Sequence, residues 1–164
     1  MIVIADSSFL IALATVDAMW LLPKLFPQVT IPDAVYDEVV KKGEGLPGSE
    51  EVANAKWIKR VTVRSPDRVQ AYRTQRLGAG ESQVLALAEE LKADIVLVDD
   101  ERAWEVARSI GISYLRSIEV ILEASRRQVL DAKTARVKLV LLHEKRWISE
   151  DVIRQALLQL EKQH

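Results

Sequence analysis

Short apolar runs alternate along the chain with stretches whose apolar positions recur every three to four residues. Met1–Ala5, Gln28–Ile31, Trp57–Val63, Ala93–Val98 and Ile112–Leu115 read as strands, the first a continuous apolar run of the kind buried on both faces. Between them fall helical segments. Phe9–Ala14 follows Asp6-Ser7-Ser8, with Ser7 or Ser8 as its cap. Asp33–Lys42 starts at Pro32 and turns Val35, Val39 and Val40 inward. Ser49 opens a helix to about Asn54, after the loop Gly43–Gly48. Pro66–Arg76 is polar and basic, and Glu81–Leu91 presents Val84, Leu85, Ala88 and Leu91 on one face. Glu101–Ile110 stops at Gly111, and Ser117 caps the next helix. From about Gln128 no strand signal remains. Thr134–Lys145 and Ser149–Gln163 are helices, the latter with a stripe of Val152, Ile153, Ala156, Leu157 and Leu160. Strands alternating with helices predict an α/β layer fold on a parallel sheet.

Composition narrows the chemistry. The 164 residues suit one domain, and 49% hydrophobic with 29% charged residues supports a packed core rather than disorder. There is no cysteine, so disulfides, thiol catalysis and Cys-based metal sites are excluded. The two histidines, His143 and His164, cannot build a His-rich metal site in one chain and leave almost no room for a Ser-His-Asp triad. Any metal or acid–base chemistry falls to carboxylates. The net charge of -1 gives no global attraction for nucleic acid, so such binding needs local patches. No basic leader precedes the first apolar run, and no stretch approaches the roughly 18 apolar residues of a membrane span, so a cytoplasmic protein is expected.

The acids have a pattern. Asp6 follows the first buried strand directly, and Asp99 and Asp100 follow a later one. In open parallel sheets, ligands bind beyond the carboxyl ends of the strands. Glu81 opens a helix after the Gly78-Ala79-Gly80 turn, and Glu38 lies in the helix after the second strand; both can reach the same edge. Clustered carboxylates repel unless cations neutralise them. A set of oxygen donors without Cys or usable His selects Mg²⁺ or Mn²⁺ over zinc, and such ions serve phosphodiester hydrolysis. Each acid taken singly also has a structural reading: Asp6 as a turn residue, Asp99, Asp100 and Glu81 as helix-start anions, Glu38 as a solvated helix glutamate.

These residues resemble a known family. Ile4-Ala5-Asp6-Ser7-Ser8-Phe9-Leu10-Ile11-Ala12-Leu13, Ile31-Pro32-Asp33-Ala34-Val35-Tyr36-Asp37-Glu38-Val39, Gly78-Ala79-Gly80-Glu81-Ser82 with Ala86-Leu87-Ala88, and Ile95-Val96-Leu97-Val98-Asp99-Asp100 with Ala103 and Val106-Ala107 are together similar to PIN-domain proteins of the VapC-toxin-like variant. The resemblance covers roughly residues 1–130 and leaves 131–164 as a helical extension, packed on the domain or on a dimer partner. It implies a three-layer α/β/α sandwich and a metal-dependent ribonuclease site. By position, Asp6 is the central metal ligand and Ser8 supports it through its hydroxyl. Glu38 matches the helix glutamate, Glu81 the acid opening the central helix, and Asp100, with Asp99 beside it, the acid after the fourth strand. Two positions depart from the commoner pattern: Val98 stands where many such nucleases have Thr, and Glu81 where Asp is more usual. The family further implies homodimers and, for toxin relatives, an antitoxin that blocks the groove.

Between Lys56 and Arg76 seven basic residues accompany one acid, Asp67. Lys59, Arg60, Arg73 and Arg76 are thus candidates to hold RNA phosphates around the acidic pocket, with a solvated helix face as the alternative. A second basic stretch, Arg126 to Trp147, is better read as a solvated face. The four tryptophans are assigned to packing rather than to base stacking. Two other function classes compete with the nuclease. One is a PIN-like module that binds RNA or a protein without useful cleavage. The other is a phosphoacceptor or phosphatase, which the order of the acids and Ser8, two places after Asp6, argue against.

Overall fold

The structure is a computed structural model and describes residues 1–164. The strands are β1 (Val3–Ala5), β2 (Val29–Pro32), β3 (Ile58–Val61), β4 (Ile95–Leu97) and β5 (Ser113–Leu115). They form one parallel sheet in the order β3-β2-β1-β4-β5. Ile4 of β1 pairs with Thr30 on one side and Val96 on the other, so β1 is central and buried along its whole length. The chain winds outward from β1 to β3, then returns to the other side of β1 for β4 and β5. The reversal opens a crevice between the carboxyl ends of β1 and β4, the ligand-binding position of such sheets.

Four of the five strands are shorter than their apolar runs predict, most clearly Met1–Ala5 and Ala93–Val98, while β2 keeps its length and shifts by one residue. Apolar character follows the core, and the core extends past the ends of the ladder: Val98 is fully buried yet lies outside β4. The edge strand β3 has the opposite signature, with Lys59 and Arg60 exposed.

Ten α-helices surround the sheet: α1 (Ser7–Thr15), α2 (Leu22–Leu25), α3 (Asp33–Tyr36), α4 (Ser49–Asn54), α5 (Pro66–Arg73), α6 (Ala79–Leu91), α7 (Glu101–Ser109), α8 (Ser117–Arg126), α9 (Ala132–Glu144) and α10 (Glu150–Gln163). Helix α6 packs over β1, β2 and β4, and α3 and α5 pack against it. It is therefore buried well beyond the single face read from its periodicity, Ser82, Ala86 and Leu87 included. Helices α1, α8, α9 and α10 contact one another as the second layer, completing an α/β/α sandwich. The same core runs through Leu139 and Leu142 of α9 and Ala156 and Leu160 of α10. The Nζ of Lys138 on α9 donates to the carbonyls of Val16 (2.9 Å) and Asp17 (2.8 Å), just beyond the end of α1.

Three local readings need correction. Asp6, rather than Ser7 or Ser8, caps α1. Arg116, rather than Ser117, precedes α8, and its amide donates to Glu119 Oε2 at 2.7 Å. The helix expected over Asp33–Lys42 is α-helical only through Tyr36, then widens into a π turn over Asp37–Lys41, with the Lys42 amide bonded to the Asp37 carbonyl at 2.8 Å. Such turns frequently accompany functional sites, and this one carries Glu38. No single helix is long and apolar enough to cross a membrane.

Candidate active site

Asp6 sits at the junction where β1 becomes α1 without an intervening loop. Its amide donates to the Leu97 carbonyl at 3.0 Å, which ties it to β4. Its Oδ1 accepts the Phe9 amide at 2.9 Å and so caps α1. The residue is 1% exposed, and its Oδ2 is buried without a hydrogen-bond partner. Burying an unsatisfied polar atom is costly; a geometry that keeps one fits an oxygen reserved for a ligand.

The other acids surround it from separate elements. Glu81 is half-buried in the first turn of α6. Asp99 follows β4 by two residues and accepts the Ser117 amide on Oδ1 at 2.7 Å, which leaves Oδ2 buried without a partner. Asp100 is exposed and caps α7 through the Ala103 amide at 3.1 Å. Glu38 arrives on the π turn, and its Oε2 accepts the hydroxyl of Ser7. A methyl group on Gly80 would lie 2.8 Å from that same Oε2, so the glycine leaves room for Glu38 at the start of α6.

Electrostatics links the five. Burial pushes the Asp6 carboxyl well above the usual carboxylate range; the Phe9 amide offsets part of this, while Asp99, Glu81 and Asp100 push in the same direction as burial. Glu81 is raised by burial, with Asp100 and Glu38 adding to it. Asp99 is raised by burial against the counteracting Ser117 hydrogen bonds. This mutual repulsion, the oxygen-only donor set and the unpartnered Asp6 Oδ2 fit a divalent cation that prefers oxygen ligands. The side chains are not drawn into a finished cage, because no three acidic or histidine side chains converge as ready metal ligands.

The resemblance placed the supporting hydroxyl at Ser8. Here Ser8 is half-buried and makes no side-chain hydrogen bond to Asp6 or to any other residue, and the neighbouring Ser7 holds a different acid, Glu38. Sequence reasoning named Ser7 only as a cap. Its signal, a hydroxyl within two residues of Asp6, is shared by Ser8, and only the direction of the first turn of α1 separates the two.

The basic candidates divide. Arg60 is engaged elsewhere: its Nε bonds Asp33 Oδ1 at 2.6 Å, and its guanidinium lies 4.4 Å over the Tyr36 ring. That pair holds the Asp33 carboxyl below the usual range. Lys59 is exposed on the edge strand, Arg73 is exposed at the end of α5, and Arg76 is exposed two residues before Gly78, in the loop that leads to Glu81. Trp104 and Trp147 line a cleft that also includes Asp99.

A family profile described as a PIN domain matches residues 2–162, which takes in both C-terminal helices. No curated protein matches the chain closely enough to stand as a relative.

Proposed function

The chain belongs to the PIN-domain family, and from that premise we propose that it is an Mg²⁺- or Mn²⁺-dependent endoribonuclease. PIN domains are generally nucleases and typically use divalent metals. The observation that carries the proposal is Asp6: a buried carboxylate with one unpartnered oxygen, at the sheet's switch point, in the field of Glu81, Asp99 and Asp100.

Asp6, Glu81, Asp99 and Asp100 would hold the cation, which when bound supplies a polarised phosphoryl oxygen and a more acidic water. Asp6 Oδ1 stays on the Phe9 amide and leaves Oδ2 as the donor. Ser7 fixes the Glu38 carboxylate through its hydroxyl. Exposed Lys59, Arg73 and Arg76 supply charge for the RNA backbone. A toxin-like role with an antitoxin protein, a homodimer and a cytoplasmic setting complete the proposal.

A second reading, an RNA- or protein-binding PIN module that does not cleave, draws on the absence of three converged ligands. Purified protein incubated with a mixed RNA pool in Mg²⁺, Mn²⁺ or EDTA separates the two. Metal-dependent cleavage that vanishes in Asp6→Asn supports the nuclease. Folded protein that binds RNA but leaves it intact under every condition overturns it in favour of the binding module.

A further inference from the structure

We propose that a cleft beside the carboxylates, walled by Trp104 and Trp147, takes one unpaired nucleobase of the RNA strand next to the bond to be cut. The inference rests on the nuclease reading for its substrate class and adds where that substrate is recognised. The cleft has a volume of about 280 Å³, and its lining includes Asp99, Trp104, Arg116, Trp147, Ile148 and Ser149. Sites for drug-sized ligands occupy about 300–1,000 Å³, so this one suits a single base. It adjoins the acidic site through Asp99, which lines it and follows β4 by two residues at the carboxyl edge of the sheet.

The walls are built in advance. Trp104 stacks on Tyr114 with ring centroids 5.3 Å apart and planes at 16°. The segment carrying Trp147 is pinned at three points: the Trp147 amide on the Leu142 carbonyl (2.9 Å), the Arg146 amide on the His143 carbonyl (2.9 Å), and His143 Nδ1 at 3.1 Å from the Ile148 carbonyl. Ser149 then caps α10 through the Val152 amide at 3.3 Å. Arg116 is oriented by Glu119 Oε1, which accepts from Nε (3.2 Å) and Nη2 (2.9 Å).

The chemistry selects a base over a phosphate. Trp104, Trp147 and Ile148 line the cleft against one cation, Arg116, which Glu119 already holds, so it offers stacking surface rather than a phosphate clamp. A neutral base has a π-face for the indoles and an edge for the polar groups, and stacking of this kind is available only to an unpaired nucleotide. Indoles beside carboxylates would also hold a basic side chain; Asp99, shared with the carboxylate group assigned to RNA, favours the base. The cleft also gives the C-terminal segment a task, since Trp147, Ile148 and Ser149 come from the α9–α10 connection.

The test is binding, independent of cleavage. Short single-stranded oligoribonucleotides carrying an abasic site at each position in turn are titrated against Asp6→Asn protein in Mg²⁺, and the same set against the Trp147→Ala and Trp147→Phe derivatives. One abasic position is expected to weaken binding by about 5- to 150-fold, the range for loss of one base–aromatic stack. Trp147→Ala should give a similar loss and abolish the effect of that abasic site, while Trp147→Phe restores most of the affinity. A flat abasic scan overturns the proposal and needs no folded tryptophan variant to do so. So does a basic peptide that binds through Trp147 where no oligonucleotide does. Metal-dependent cleavage by the unsubstituted protein with a flat scan leaves the nuclease standing without the base site. An abasic effect without cleavage leaves the base site standing without the nuclease.

Discussion

Replacing Asp6 with Asn is expected to stabilise the metal-free protein while abolishing cleavage. Asn caps helices as well as Asp does, so the Phe9 amide keeps its acceptor. The buried Oδ2, which has no partner, becomes an amide nitrogen that can donate within a group of acids. Leaving a buried polar group unsatisfied costs about 1–3 kcal/mol, and relief of that cost is the expected gain at neutral pH. For a chain of this length each kcal/mol moves the midpoint by about 2–4 °C, so the melting temperature should rise by about 2–12 °C. The pH dependence follows from the direction of the shift. Because the folded-state pKa of Asp6 is raised, the folded protein holds that proton more tightly than the unfolded chain. Stability of the unsubstituted protein therefore falls as pH rises from the unfolded value, about 3.9, through the folded one. Asn does not titrate there, so the gap between variant and parent is widest above the folded pKa and closes as pH is lowered to about 4. Thermal melts in EDTA across this range measure it. A parallel Mn²⁺ titration should raise the midpoint of the parent and leave the variant nearly unmoved, since only a ligand bound to the folded state stabilises it. A variant that folds natively but melts below the parent in EDTA at neutral pH, with a gap that does not close in acid, refutes the reasoning. The Asp6 charge would then be stabilised by its surroundings rather than strained by them.

Further outcomes follow from the same geometry. Ser7→Ala should slow cleavage more than Ser8→Ala, because Ser7 alone anchors Glu38; equal or reversed effects in a single-turnover assay would return the supporting role to Ser8. Gly80→Ala should leave the fold intact but displace the Glu38 carboxylate, since the added carbon falls 2.8 Å from its Oε2; a misplacement of about 1 Å can cost about 10²-fold in rate, and an unchanged rate would remove Glu38 from the site. Leu139→Ala, at a fully buried position of α9, should cost about 2–5 kcal/mol in one cooperative denaturant transition; a separate early transition for the C-terminal helices would mean that they do not share the core.

Much of the molecule was legible because its cause is local. The MIVIA run, the Gly43–Gly48 loop and the stop at Gly111 are punctuated by residues whose backbone preferences decide the outcome where they stand: Gly48 and Gly111 both adopt positive φ, at 95° and 79°. The position of Asp6 after the first buried strand likewise placed it at the carboxyl edge of any parallel sheet. The π turn was not legible, since Asp37–Lys41 carries no composition that separates it from an α-helix. Nor was the engagement of Arg60, whose partner Asp33 is distant in sequence and adjacent only through the pairing of β2 with β3.

Periodicity and punctuation are properties of neighbouring residues, and they sufficed for the alternation of elements, the parallel sheet and the five candidate acids. Tertiary structure alone decided which oxygen of Asp6 is spare, which of two adjacent serines reaches Glu38, and that Trp104 and Trp147 share a cleft with Asp99. Those facts depend on side-chain direction and on contacts between segments as far apart as β4 and the α9–α10 connection. Hydrophobic patterning states that a residue is buried; only packing states what it is buried against.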